Sequence, residues 1–267
     1  MNNYYIKPGT KIKLSDFDPE DKSQFSENKQ EAEQRMIEFG QELDKLQDVL
    51  YAQHLHKVLI VFQALDTGGK DGVIRSVFSG INPEGVHIAN FKIPTSEELD
   101  HDFLWRVHSQ VPGKGELVVF NRSHYEDVLV VRVHNLITKP VWQERYTQIN
   151  NFEKMLVDEG TTVLKFYLNI TKDEQKKRLQ ARLDNPDKNW KFNSADLDER
   201  AFWDNYMDAY QEAISETSTD WAPWYVIPSN HNWYRNLCVI SIIVKTLDDL
   251  KMKYPDPLPG LDKIVIK

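Results

Sequence analysis

The stretch KVLIVFQALDTGGKDG, from Lys57 to Gly72, joins an apolar, β-branched run to a turn that contains two glycines and a lysine. In a phosphate-binding loop, a buried parallel strand ends in a turn whose backbone amides form a concave nest. A helix then begins with its positive end towards the anion. Lys70 would add a mobile positive charge at the phosphates. We therefore predict a phosphate-binding loop at residues 66–71.

The match to the Walker pattern G-x-x-x-x-G-K-[ST] is incomplete. Ala64 stands where the first glycine belongs, and Asp71 stands where the serine or threonine belongs. The alternative interpretation is an ordinary strand-to-helix turn with an incidental lysine. Motifs further along the chain favour the phosphate-binding interpretation.

Length and composition indicate one α/β domain. The 267 residues, with 40% hydrophobic content, suffice for a large core. We expect a single domain over 1–267, with an N-terminal arm and helix at about 1–55 and a lid at about 172–200. The formal charge of −8 argues against general binding of nucleic acid, so a polyanion has to meet a local basic surface.

The compartment is predicted from cysteine usage and apolar runs. Cys238 is the single cysteine, so an internal disulfide is excluded, and its apolar surroundings predict a buried side chain. The N-terminal sequence lacks an apolar signal core, and runs such as VLIVF are too short to span a bilayer. We expect a cytoplasmic protein without membrane contact.

Short apolar runs alternate with helical patterns along the chain. The runs lie at 58–62, 86–91, 116–120, 162–168 and 224–228. Helices are predicted at 29–53, 71–79, 96–110, 141–159, 172–183, 198–217 and 233–251, with a further helical segment after Ser123. Thr95 or Ser96 and Thr171 are the predicted helix caps. The alternation predicts a five-stranded parallel sheet with helices on both faces, preceded by an extended, polar arm that reaches about Phe25.

A polar, turn-rich segment lies between two of these helices. Its sequence, DNPDKNWKFNSADLD at 184–198, has no strand character and is flanked by a basic helix, which is typical of a hinged lid. The basic residues are Lys176, Lys177, Arg178, Arg182, Lys188 and Lys191. The alternative for this cluster is a solvated helix face.

Two polar clusters follow the first and third strands, and the carboxyl ends of parallel strands share one edge of the sheet. Asp66 can coordinate Mg²⁺ or orient the acceptor, and Arg122 can clamp a phosphate. Asn121, Glu126 and Asp127 offer further oxygen ligands. The alternatives are that Asp66 only caps a turn, that Asn121 only ends a strand, and that Glu126 and Asp127 form a solvated first helical turn.

Five motifs together resemble one family, the second family of polyphosphate kinases. They are DTGGKDG (66–72), IPTSEELDHDFLWRVHSQVPGKGE (93–116), NRSHYEDVLVVRV (121–133), ARLDNPDKNWKFNSADLDER (181–200) and STDWAPWYVIPSNHNWYRN (218–236). The resemblance runs from about Tyr4 to the C-terminus. It implies transfer of a terminal phosphoryl group between inorganic polyphosphate and an adenine or guanine nucleotide. It also implies a P-loop kinase-like three-layer sandwich with a helical lid, Mg²⁺ or Mn²⁺ in its place, and a homo-oligomer, either a dimer or a tetramer.

The resemblance also implies residue roles. The Walker A loop corresponds to Asp66, Thr67, Gly68, Gly69, Lys70 and Asp71, followed by Arg75. Lys70 and Arg122 would stabilise the migrating phosphoryl group, and Asp66 and Glu126 would hold the metal. The Walker B region corresponds to Asn121 and Arg122, although many members have Asp at position 121.

Two further features bear on the choice of acceptor and on the binding of phosphate groups. Glu126 resembles the subgroup that accepts nucleoside mono- and diphosphates, which implies reversible conversion of AMP to ADP and of ADP to ATP. The lid cations Arg178, Arg182, Lys188 and Lys191 would grip polyphosphate or nucleotide phosphates.

Two other functions stay open at this point. One is an ATP-dependent nucleoside monophosphate kinase of the thymidylate-kinase type, which shares the fold and lid. The other is a non-catalytic nucleotide or phosphate sensor, which Asn121 in place of Asp keeps open.

Overall fold

The computed structural model describes residues 4–26, 28–261 and 264–266. Five parallel strands form one sheet in the order β2-β3-β1-β4-β5. Their bounds are β1 Lys57–Gln63, β2 Val86–Asn90, β3 Leu117–Asn121, β4 Thr161–Asn169 and β5 Trp224–Pro228. The predicted α/β fold and all five predicted strands are confirmed.

Helices connect the strands. They are α1 Lys29–Gln53, α2 Lys70–Val77, α3 Ser96–Asp100, α4 Trp105–His108, α5 Val130–Val133, α6 Lys139–Asp158, α7 Lys172–Asp184, α8 Ala195–Ala201, α9 Trp203–Thr217 and α10 Asn232–Asp249. Short 3₁₀ helices lie at Leu14–Asp16, Pro83–Gly85, His124–Asp127 and Pro186–Lys191. Within the part of the chain described, none of the helices combines the length and the apolar character that crossing a membrane requires.

The sheet is buried on both faces, because alternate strand residues enter two different cores. In β1, Val58, Ile60 and Phe62 pack on the side of α1, α2 and α10. Leu59 and Val61 pack on the side of α6 and α9. This arrangement gives the predicted three layers. The chain leaves β1 towards β2 on one side and later reaches β4 on the other, so the strand order reverses at the end of β1. Ligands bind at such a reversal in open α/β sheets.

The N-terminal arm is extended as predicted but is not simply polar. Tyr5 bridges Tyr225 in antiparallel fashion, and the Ile6 amide donates to the Trp224 carbonyl at 2.9 Å. Ile12 and Leu14 are also buried. The arm therefore covers the edge of β5, which the sequence pattern did not predict. The tail PDPLPGLDKIVIK, from residue 255 onwards, is predicted from its sequence to be a surface arm, and its residues 262, 263 and 267 lie outside the described residues.

Two predicted helices are interrupted. The predicted helix at 96–110 begins with a complete capping box at Thr95 and Glu98 but ends at Asp100. Asp102 Oδ1 then accepts from the Leu104 amide at 2.9 Å, which starts a separate turn. The predicted helix at 198–217 divides at Phe202, where φ is −89° and ψ is 17°.

Candidate active site

The loop between β1 and α2 has the shape that the sequence predicts. Gly69 adopts φ +105°, a left-handed conformation that strongly favours glycine. The Val73 amide donates to the Gly69 carbonyl at 3.0 Å. The amides at the start of α2 precede that bond, and such first-turn amides have no partner inside the helix. They are available to an anion at the positive end of α2.

Side chains of helix α7 donate hydrogen bonds to the carbonyl groups of this loop. Gln175 Nε2 donates to the Asp66 carbonyl at 3.0 Å, and Arg178 Nη1 donates to the Thr67 carbonyl at 3.1 Å. Arg178 also donates to the Ser229 carbonyl at 2.5 Å, so it joins the loop to the segment after β5. The α7 contacts therefore use the loop carbonyls.

Lys70 folds back over its own loop. Its Nζ donates to the Ala64 carbonyl at 2.6 Å and to the Leu65 carbonyl at 3.4 Å. Burial, and next the positive charge of Arg122, lower the pKa of Lys70 from 10.5 to about 8. An anion in the cleft would relieve both effects, because it offers Lys70 a negative partner.

Arg122 joins the two predicted acidic residues. Its Nη2 lies 2.7 Å from Asp66 Oδ1, and its Nη1 lies 3.3 Å from Glu126 Oε2. The Glu126 carboxylate raises the pKa of Arg122, while burial opposes this and Asp66 adds to it, so the guanidinium stays charged. Arg122 has φ +62°, which is uncommon for a residue with a side chain and typical of functional sites.

Buried polar contacts support the backbone around Arg122. Gln63 Nε2, at the end of β1, donates to Ser123 Oγ at 3.0 Å, and Tyr210 OH donates to Gln63 Oε1 at 3.3 Å. The next two residues are anchored by His124 Nε2, 3.2 Å from Glu153 Oε1, and by a 2.9 Å bond from Tyr125 OH to the same oxygen. Lys165 Nζ completes this network at 2.5 Å from Glu153 Oε2. These buried contacts therefore hold the Arg122 backbone in its strained conformation.

Two other predicted residues have different surroundings from those expected. Asn121 Nδ2 donates to Asp71 Oδ1 at 2.7 Å, so the Walker B position contacts the first turn of α2. Asp127, an expected oxygen ligand, instead accepts from Arg145 of α6 at 3.1 Å. Burial raises the pKa of Asp127 to about 6 although Arg145 opposes this. The 3₁₀ geometry of residues 124–127 directs neighbouring side chains to different sides, so Asp127 does not join the Arg122 cluster.

An open cleft of about 820 Å³ collects most of the predicted site. Its predicted members are Asp66, Thr67, Gly68, Gly69, Lys70, Asp71, Arg75, Asn121, Arg122, Arg178, Arg182, Lys188 and Lys191. Among the described residues, nine cationic side chains and four carboxylates line the cleft, although the whole chain carries −8. The predicted local basic surface is present. Lys176 and Lys177 do not line this cleft.

The segment at 172–201 forms one wall of the cleft. Arg182 Nη1 lies 3.0 Å from Asp196 Oδ2 and donates to the Lys191 carbonyl at 3.1 Å, which ties α7 to the residues that follow it. The pKa of Asp196 is raised by burial and next by the charge of Asp66. Trp190 is 77% exposed at the rim of the cleft, and the centroid of its ring lies 5.0 Å from Lys191 Nζ. A flat, apolar surface therefore lies beside a cation of this wall.

Glu126 lies outside this open cleft. It lines a small, partly open cavity of about 20 Å³, next to Arg122 and the Tyr206 and Tyr210 rings, with room for about one water. Asp66 and Arg122 line both spaces. Glu126 therefore reaches the cleft lining only by its ion pair with Arg122.

The oxygen donors at the site fit a magnesium ion. Asp66 and Glu126 each use one oxygen for Arg122, which leaves the second oxygen of each carboxylate outside these pairs. Thr67 Oγ1 is buried and has no hydrogen-bond partner among the described residues. In that part of the chain, no group of three or more His, Cys, Asp or Glu side chains is placed to hold a metal. Mg²⁺ commonly binds one or two carboxylates together with substrate phosphates, so this sparse donor set suits it.

Sequence reasoning missed two cations in the cleft. Lys92 follows the end of β2, and Arg235 lies in α10, which follows β5. The rule that placed Lys70 and Arg122 at the carboxyl edge applies equally to these two strands. Applying it to every strand would have identified Lys92, whereas Arg235 lies inside the first turn of α10 and gives no comparable sequence signal.

Comparison with known proteins supplies a family. The family described as Polyphosphate kinase 2 matches residues 7–255. A relative from Meiothermus ruber, named AMP/ADP-polyphosphate phosphotransferase, is 58% identical over 267 residues and is covered in full, as is this chain. A relative from Rhodopseudomonas palustris, named ADP-polyphosphate phosphotransferase, is 44% identical over 99% of this chain and 95% of its own.

A solved structure agrees with the fold. The crystal structure of polyphosphate kinase 2 from Arthrobacter aurescens TC1 is similar to this chain with a TM-score of 0.93 and 42% sequence identity. The match covers 95% of this chain and 90% of that one. The two chains therefore share one fold.

Proposed function

The chain belongs to the polyphosphate kinase 2 family, and on that premise we propose that it transfers the terminal phosphoryl group of inorganic polyphosphate to AMP and to ADP. The observation that carries this proposal is the cleft itself. Lys70 and Arg122 face the same open, basic space as the lid cations Arg178, Arg182, Lys188 and Lys191. A donor and an acceptor that are both polyanions need such a surface, because they repel each other.

The chemistry needs charge neutralisation more than proton transfer. The accepting phosphate of a nucleotide has a second pKa near 6, so it is mostly ionised at neutral pH and needs no strong general base. Phosphoryl transfer depends mainly on positioning and on stabilising charge over the migrating group. Lys70, once released from the Ala64 and Leu65 carbonyls, and Arg122 supply positive charge there.

The metal has a place in the same scheme. Asp66, which lines both spaces, and Glu126, which lines the small cavity, would hold Mg²⁺, and Mn²⁺ can take its place. The ion supplies further neutralisation of phosphate charge. Because polyphosphate and ATP anhydrides have similar chemistry, the reaction is reversible, and excess ATP lengthens polyphosphate.

Acceptance of both AMP and ADP rests on Glu126. This residue pairs directly with Arg122 at 3.3 Å, and the Meiothermus relative, which is 58% identical to this chain, is named for both acceptors. Guanine nucleotides are included, because the cations that line the cleft suit the phosphate chain, which adenine and guanine nucleotides share. We further propose a homo-oligomer working in the cytoplasm. The free, buried Cys238 is compatible with a reducing compartment.

The test is ATP formation measured by luminescence, with polyphosphate and Mg²⁺ present and no ATP at the start. AMP alone and ADP alone are supplied in separate reactions. ATP from both acceptors supports the proposal, and ATP from ADP only rejects the dual acceptor. Activity that appears only when ATP and a nucleoside monophosphate are supplied would indicate an ordinary nucleotide kinase. Tight nucleotide binding with no turnover under any of these conditions would indicate a sensor.

A further inference from the structure

Arg235 is a buried cation placed against the phosphate-binding loop. Arg235 is only 2% exposed to solvent, yet it lines the open cleft. A Cβ atom built on Gly69 would lie 2.0 Å from Arg235 Nη1, and one built on Gly72 would lie 3.4 Å from Nη2. The guanidinium therefore fills the space that these two glycines leave open. Gly69 is required here by this close approach as well as by its φ angle.

The partners of Arg235 satisfy its hydrogen bonds without neutralising its charge. Nη1 donates to Asn232 Oδ1 at 2.9 Å, while Nε and Nη2 donate to Asn236 Oδ1 at 3.1 and 2.8 Å. Five N–H bonds are present on a guanidinium, so one on each terminal nitrogen remains. Among the described residues, no carboxylate forms an ion pair with Arg235. Its neutral partners are both amides of α10.

This arrangement is unfavourable unless an anion completes it. A buried charge without a counter-charge destabilises the folded state. Burial, and next the charge of Arg178, lower the pKa of Arg235 from 12.5 to about 9, which still leaves it mostly protonated at pH 7. A carboxylate at position 236 would relieve the strain but would also compete with any anionic ligand. The chain instead has Asn236, which differs from Asp by an amide nitrogen.

We propose that Arg235 is a phosphate-binding residue, whose guanidinium contacts the phosphoryl group held over Gly69 and Lys70. This inference rests on the proposed function and extends it. The shared ligand chemistry is a phosphate ester or anhydride oxygen, whether it comes from the nucleotide or from polyphosphate. The adjacent Arg178 is committed to Glu174 and to main-chain carbonyls, so Arg235 provides a charge that no acidic side chain already neutralises.

A purely structural role makes a different prediction. If Arg235 only ties the first turns of α10 together through Asn232 and Asn236, its removal lowers stability and leaves ligand affinity intact. If it is an anion site, its removal leaves the ligand-free protein as stable or more stable and weakens binding. The two effects have opposite signs, so they can be separated.

The experiment compares three variants of the full chain with the wild type. Arg235→Gln removes the charge, and Asn236→Asp neutralises it by pairing while keeping the side-chain shape. Lys245→Gln is the matched control, because Lys245 is an exposed cation on the same helix whose partner is Asp249 at 2.8 Å. Melting temperature is measured without ligand. Affinity is measured by calorimetry for tripolyphosphate and, in separate titrations, for ADP, each with Mg²⁺.

We expect Arg235→Gln to weaken binding of at least one ligand by about tenfold to a hundredfold, which is typical of a lost charge-assisted hydrogen bond. Asn236→Asp weakens the same ligand and raises the ligand-free melting temperature. Lys245→Gln changes neither affinity. The ligand that weakens identifies whether nucleotide or polyphosphate occupies the site.

Unchanged affinity for both ligands in Arg235→Gln and Asn236→Asp overturns the inference while leaving the proposed function standing. A lower ligand-free melting temperature with unchanged affinity assigns Arg235 the structural role instead. If Arg235→Gln fails to fold, Asn236→Asp decides alone. If the wild type binds neither tripolyphosphate nor ADP, the proposed function fails and this inference fails with it.

Discussion

Replacing Lys70 by Met tests whether this side chain serves the ligand or the fold. The change keeps the aliphatic stem and removes the charge. The difference between the ordinary pKa of 10.5 and about 8 corresponds to at most about 3.4 kcal/mol, at 1.36 kcal/mol per pKa unit. Partial exposure reduces this to about 2 kcal/mol. The lost bonds to the Ala64 and Leu65 carbonyls remove about 1–2 kcal/mol of stabilisation.

These two contributions nearly cancel. We therefore expect the free energy of unfolding of Lys70→Met to stay within about 1 kcal/mol of the wild type at pH 7. The rate of phosphoryl transfer, in contrast, should fall by about 100-fold to 1,000-fold. This is the loss seen when one preorganised hydrogen-bond donor to a transition state is removed. A stable but inactive variant is the signature of a residue retained for its ligand.

The pH dependence has a defined sign. The lowered pKa of Lys70 means that between pH 8 and 10.5 the unfolded chain holds a proton that the folded chain has released. The titration of Lys70 therefore increases the free energy of unfolding of the wild type as pH rises through this range, and Lys70→Met lacks this increase. The stability of the variant relative to the wild type should decrease by about 2 kcal/mol over that range. Other titrating groups are common to both proteins.

Urea denaturation followed by tryptophan fluorescence gives the stabilities, and luminescent detection of ATP gives the rates. Lys245→Met, on the exposed face of α10, is the control for loss of one positive charge. Turnover of Lys70→Met within tenfold of the wild type would refute the role of Lys70 in transfer. Destabilisation by more than about 3 kcal/mol at pH 7 would show that the loop needs Lys70 for folding, against the estimate above.

Two further predictions concern the residues around Arg122. Lys165→Met leaves the buried Glu153 carboxylate without its cation and should destabilise the protein by about 3–5 kcal/mol in urea titration. Lys165→Met combined with Glu153→Met should recover much of that loss. A Lys165→Met variant whose free energy of unfolding lies within about 1 kcal/mol of the wild type would contradict the importance of this network. Asn121→Asp puts a carboxylate where an amide now donates to Asp71 at 2.7 Å, so the two acids repel unless a cation intervenes. Thermal melting should show a larger stabilisation by Mg²⁺ in Asn121→Asp than in the wild type, and equal stabilisation would argue against the repulsion.

Local pattern was sufficient for the sheet and for the loop. The β-branched runs specify five strands because each is buried on both faces, as Val58 to Phe62 illustrate. The position of Lys70 at the start of α2 could be predicted because Lys70 belongs to a short contiguous turn. Arg122 could be predicted because it follows a strand whose carboxyl end meets the same edge.

The misses have a common physical cause. Arg235 has its role because α10 packs beside α2, a contact between segments more than 150 residues apart in the chain. The direction of Asp127 depends on one 3₁₀ turn, which local propensity does not specify. The break after Asp100 depends on a single side-chain bond from Asp102, which competes with continuation of the helix.

The most direct test of the central claim is ³¹P nuclear magnetic resonance of one reaction that contains ADP, polyphosphate and Mg²⁺. The claim predicts that the γ-phosphate signal of ATP grows while the interior phosphate signal of polyphosphate falls one for one. AMP should not accumulate. Growth of ATP and AMP in equal amounts, with the interior phosphate signal constant, would show that the enzyme disproportionates ADP and does not use polyphosphate as its donor.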